Sequence, residues 1–137
     1  MGKSFLENLI GKIIDSALGG VSKRRLTSTE EEKVISDWQR IQELVTTGSP
    51  SSFKQAVINA DKLLEFTLSI VIGVRGLGDC LKLAKDKFSP EVYDNLWKAH
   101  KVRNALVHDT TYDPPYFVAK EAVENFGQGF KELGIRI

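Results

Sequence analysis

Both histidines of the chain, His100 and His108, fall within one short stretch, Trp97 to Asp109. On a helix, at about 100° per residue, Ala99, Val102, Ala105 and Leu106 share one side. His100, Arg103, Asn104 and His108 share the other, with Val107 among them and Lys101 on the adjoining flank. His100, Asn104 and His108 stand at i, i+4 and i+8, a vertical row. Arginine grips two phosphate oxygens at once. Histidine exchanges protons near neutrality, and asparagine donates to an oxyanion or fixes an imidazole. These parts suit RNA cleavage by attack of the 2′-oxygen on the adjacent phosphorus. That reaction requires no metal, and no cofactor is expected. A polar face near a helix end is equally what a solvated surface looks like, and a histidine in the last turn suits the helix dipole. The residue types leave both readings open.

One helix supplies only part of such a site. Arg103 and His108 are separated by roughly 7.5 Å along the axis and about 140° around it. Two such helices facing across a two-fold axis would double the inventory and enclose a cleft.

The elements that must position these residues are all helical. A start near Thr29, with Glu30 to Glu32 in the first turn, leads into a helix carrying Val34, Ile35, Trp38, Ile41, Leu44 and Val45 inward. Gly48-Ser49-Pro50 stops it. A second helix from Ser51 or Ser52 carries Phe53, Val57, Ala60, Leu63, Leu64, Thr67 and Leu68, and ends at Gly73. Asp79 is expected to cap a short helix through Leu81, Leu83 and Ala84. Ser89-Pro90-Glu91 is a cap, a first-turn proline and an acid, opening the motif helix that runs to about His108. Asp113 is the expected cap of a last helix from about Pro115 to Leu133. No segment sustains period-2 alternation. The fold class is all-α: an antiparallel four-helix bundle over residues 29–137. Residues 1–28 form an N-terminal amphipathic helix and linker, with Leu6, Leu9, Ile10, Ile13, Ile14, Ala17 and Leu18 in one stripe.

Composition narrows the classes. The 137 residues make one domain, and 19 Lys and Arg against 18 Asp and Glu leave a formal charge of +1. A basic surface must therefore be local. Lys82, Lys85, Lys87, Lys98, Lys101 and Arg103 form such a run. The single cysteine, Cys80, excludes an internal disulfide and a Cys-rich zinc site, and reads as a small buried residue. Trp38 and Trp97 read as anchors between helices. Gly73, Gly76 and Gly78 follow a helix rather than a strand, and read as turn glycines rather than a phosphate loop. No apolar run reaches the ~18 residues of a membrane span. A signal peptide is not expected, Leu6 departs from the myristoylation pattern, and the expected location is the cytoplasm. The N-terminal helix, with Lys3, Lys12 and Lys23 to Arg25, can pack on the bundle, pair with a copy or another protein, or lie on an anionic membrane.

Arg103-Asn104-x-x-x-His108 resembles the defining motif of the HEPN superfamily: an arginine, a polar residue, three residues and a histidine near the end of a long helix. The words Trp97 to Asn104, Ser36-Asp37-Trp38 and Ala56 to Leu64 resemble small bacterial HEPN-like proteins, over about Val34 to Leu133. The resemblance implies a bundle that dimerises through the motif helices. It also implies a metal-independent endoribonuclease, often a toxin or defence effector, with an antitoxin or regulatory protein as a further partner. Carried over, Arg103 orients phosphate and stabilises the transition state, His108 is the general base or acid, and Asn104 is the polar support. His100 and Lys101 lie outside the motif and are auxiliary candidates. One toxin branch carries an AMP-accepting tyrosine two residues after the histidine. Thr110 stands there in this chain, and the nearest tyrosine is Tyr112.

Three functions compete on these residues. The first is a homodimeric RNA-cleaving enzyme with a composite Arg103, Asn104 and His108 site. The second is a noncatalytic HEPN-like module that dimerises or binds a partner or RNA. The third is a membrane-associated accessory acting through residues 1–25.

Overall fold

The computed structural model describes residues 24–137. The expected N-terminal amphipathic helix lies outside the described residues. Among the described residues all regular structure is helical, with no strand. The elements are α1 (Ser28–Thr47), α2 (Pro50–Ile72), α3 (Leu77–Leu83), a 3-10 turn (Lys85–Lys87), α4 (Pro90–His108) and α5 (Tyr116–Glu132).

The helix ends follow local chemistry. Thr27, just before the expected start, caps α1 in a reciprocal box. Its hydroxyl accepts from the Glu30 amide, and the Glu30 carboxylate accepts from the Thr27 amide. Such a box satisfies two amides that the helix leaves without partners. Ser49 caps α2 with Pro50 in its first turn, and Gly73 ends it at φ 84°. Ser89 caps α4, again with proline following.

Two expected caps are corrected. Asp79 does not cap α3: Gly76 is the N-cap, at φ 84°, with no side-chain cap bond, and Asp79 sits in the first turn. The Gly76 amide instead donates to Glu65 Oε1 at 3.1 Å, which ties this turn to α2. Asp113 does not cap α5 either. Pro115 is its N-cap, in extended conformation, so Pro114 and Pro115 hold Asp113 away from the helix start. The Asp113 carboxylate pairs with Lys54 Nζ at 3.0 Å, linking the α4–α5 connection to α2.

Helix α2 is the hub and packs against α1, α3, α4 and α5, while α5 also packs along α4. Val57, Leu64, Leu68, Leu96, Phe126 and Phe130 are fully enclosed. Burying such a side chain contributes roughly 1.5–3 kcal/mol. Leu83 is 55% exposed, because the two-turn helix α3 turns only Leu77, Cys80 and Leu81 to the core. Trp38 is an anchor as expected, edge-on to Phe130 with ring centroids 5.4 Å apart. Helix α5 approaches its neighbours closely at two glycines. A Cβ at Gly127 would lie 2.9 Å from Trp38 Cζ2, and one at Gly129 would lie 2.8 Å from Leu96 Cδ2.

Candidate functional site

The core face of α2 carries one acid. Asp61 stands among Val57, Ala60, Leu64 and Leu68 at helical spacing and is 1% exposed. A carboxylate there requires partners, and α4 supplies them. Asp61 Oδ2 lies 2.7 Å from His100 Nδ1, and Oδ1 lies 3.5 Å from Arg103 Nε. Arg103 Nη1 donates to Asn104 Oδ1 at 3.0 Å. Asn104 Nδ2 lies 3.4 Å from His100 Nε2. The four side chains thus close a ring.

The ring has one self-consistent polarity. The carboxylate is acceptor-only, so His100 Nδ1 carries the proton and donates to it. Nε2 then holds the lone pair and accepts from the Asn104 amide nitrogen. That leaves the amide oxygen to accept from Arg103. Arg103 Nε is enclosed and faces Asp61 at ion-pair distance without a hydrogen bond. Of the five guanidinium N–H groups, one on Nη1 is committed to Asn104 among the described residues. The Arg103 side chain is 30% exposed. The guanidinium is therefore braced from one side, with donors to spare.

The other expected residues lie apart from the ring. His108 is exposed in the last turn of α4, and Lys101 is exposed on its flank. Neither side chain has a hydrogen bond or ion pair among the described residues. A single chain thus brings together His100, Arg103 and Asn104, and leaves out His108 and Lys101. The basic run is divided as well. Lys82, Lys85, Lys87, Lys98 and Lys101 are exposed, whereas Arg103 turns to Asp61.

Asp61 escaped sequence reasoning. Its one signal is an acid at a core position of the α2 stripe, which calls for a buried partner on a facing helix. His100 was expected as an auxiliary and is a full member of the ring. Trp97 is half-buried beside it, edge-on, with ring centroids 5.9 Å apart. Gly78 of α3 lies near the imidazole, where an added Cβ would be 3.7 Å from His100 Nε2. Gly73 and Gly76 take the positive-φ turn positions expected of them, whereas Gly78 lies inside α3 rather than in a turn. Cys80 is fully buried and its thiol donates to the Val74 carbonyl at 3.3 Å. Burial, followed by the charges of Glu65 and Asp79, pushes that thiol up to about 12. No helix among the described residues is long and apolar enough to cross a membrane.

Comparison with protein-family models, curated proteins and solved structures finds no match to this chain.

Proposed function

We propose that this protein is a metal-independent endoribonuclease of HEPN type, its four long helices forming the bundle of that class. Two copies would pack α4 against α4 and share an Arg103, Asn104 and His108 site. The observation that carries this reading is the braced guanidinium of Arg103. Asp61 and Asn104 hold it in place, and its uncommitted N–H groups fit two non-bridging phosphate oxygens. His108 is exposed on the same helix and serves the phosphate held by the second copy's Arg103. Val107, beside it, is 46% exposed, and Phe117, at the start of α5, is 68% exposed. Such side chains suit a contact with a second copy.

The test is cleavage of a mixed RNA pool in EDTA. Wild type is expected to leave 2′,3′-cyclic phosphate and 5′-hydroxyl ends. Arg103→Ala and His108→Ala, each a folded dimer by mass, are expected to lose about 100-fold or more in rate. An intact wild-type dimer that cuts nothing supports a second reading, a noncatalytic dimerisation or partner-binding module. One observation favours that reading: Asp61 already offsets the charge of Arg103 inside the ring.

A further inference from the structure

The cleavage chemistry needs two proton-transfer groups, one to take the 2′ proton and one to protonate the leaving 5′-oxygen. His108 accounts for one. We propose that His100 is the other, acting as the general base through Nε2, with Asp61 as its positioning residue. This rests on the cleavage reading above.

Three observations carry it. First, Asp61 is 1% exposed. A buried ion pair is a poor source of stability, because apolar side chains of similar volume serve as well or better. What Asp61 does supply is orientation. Its 2.7 Å bond fixes the proton on Nδ1 and aims the lone pair of Nε2 away from α2. A buried carboxylate holding an imidazole in one tautomer is the arrangement that makes histidine an effective base.

Second, the lone pair is only lightly engaged. The 3.4 Å separation from Asn104 Nδ2 is long for a hydrogen bond. Across from Nε2, α3 presents Gly78, without a side chain. A glycine inside a helix gives up helix propensity relative to alanine. Here it keeps a side chain off one flank of the imidazole, where an added Cβ would stand 3.7 Å from Nε2, and the His100 side chain retains 12% exposure. Among the described residues, the charged group in contact with the imidazole is Asp61 of α2, which also faces Arg103 of α4 through its other oxygen.

Third, His100 and Arg103 belong to one ring. A phosphate on the free N–H groups of Arg103 is therefore next to the residue that must deprotonate the neighbouring 2′-hydroxyl. In the step itself, Nε2 takes the 2′ proton and the 2′-oxygen bonds to phosphorus. The bond from phosphorus to the 5′-oxygen then breaks, and His108 of the second copy protonates that oxygen. The products are a 2′,3′-cyclic phosphate and a 5′-hydroxyl.

The experiment compares rate–pH profiles of wild type, His100→Gln and Asp61→Asn on one RNA oligonucleotide in EDTA, between about pH 5 and 9. His100→Gln is expected to lower kcat about 100-fold or more, with KM within about twofold, and to flatten the acidic limb of the profile. Asp61→Asn is expected to lower kcat less and to mix the imidazole tautomers in the 15N spectrum. In the wild-type chain, the NMR titration midpoint of His100 is expected to coincide with the acidic limb, a reading that does not depend on any variant folding. Wild type that cuts, with an unchanged limb in His100→Gln or a His100 midpoint away from the limb, overturns this proposal alone. Wild type that cuts nothing overturns the cleavage reading and this proposal with it.

Discussion

Asp61 decides the character of the site at the scale of single residues. Its two oxygens face two residues of α4, His100 and Arg103, so its loss would strand both at once. Asp61→Ala is expected to lower stability by about 3 kcal/mol, near the lower end for breaking a buried pair because Arg103 reaches solvent. Urea unfolding monitored by circular dichroism checks this. A loss under about 1 kcal/mol would mean that the ring rearranges around water. The motif helix itself was legible from residue types. Its polar face was not the uniform surface it resembled, because His100 and Arg103 turn to Asp61 of α2 while Lys101 and His108 stay exposed. Amphipathic spacing gives the angle of a side chain on its own helix, not what stands opposite.

The elements owe their limits to caps and close approaches. The box at Thr27 predicts that Thr27→Ala weakens the start of α1 by about 1 kcal/mol. Glu30 is held down to about 2, first by its hydrogen bond from Arg24 and then by the Thr27 amide. A carboxylate lowered on folding stabilises above its ordinary value near 4.5 and loses that effect as pH falls towards 2. Protection of the Glu30 and Glu31 amides, relative to their intrinsic exchange rates, should therefore fall in wild type as pH drops across that window. In Glu30→Gln, which has no titrating group there, this change should be absent. Helix α5 makes a different prediction. Gly127→Ala adds a methyl 2.9 Å from the rigid Trp38 ring. Its gain in helix propensity, at most about 1 kcal/mol, is outweighed by overpacking of about 1–3 kcal/mol. A net fall in thermal midpoint is expected, and a rise would show that α5 can shift outward. The helix order was readable from caps and glycines. The misplaced caps, Asp79 and Asp113, failed because each carboxyl lies off its helix start: one inside the first turn, the other behind two prolines.

For the whole molecule, the decisive question is how copies meet. The exposed side chains of Val107 and Phe117 flank the connection after α4. Val107→Glu places a charge in the proposed contact between copies. It is expected to shift sedimentation from dimer to monomer and to abolish cleavage, with the helical spectrum unchanged. A variant that stays dimeric would move the contact elsewhere on the surface.

Local chemistry in the sequence was enough to determine an all-helical chain, its main breaks and the concentration of His100, Arg103, Asn104 and His108 on one helix. Helix starts, stops and stripes depend on residues within a few positions of one another. Tertiary structure alone decided which of those residues lie together. Asp61 is 39 positions from His100, and only the packing of α2 on α4 closes the ring around Arg103. The same packing leaves His108 outside. The chain therefore holds a braced arginine and an exposed histidine on one helix, and the proposed function depends on a second copy to unite them.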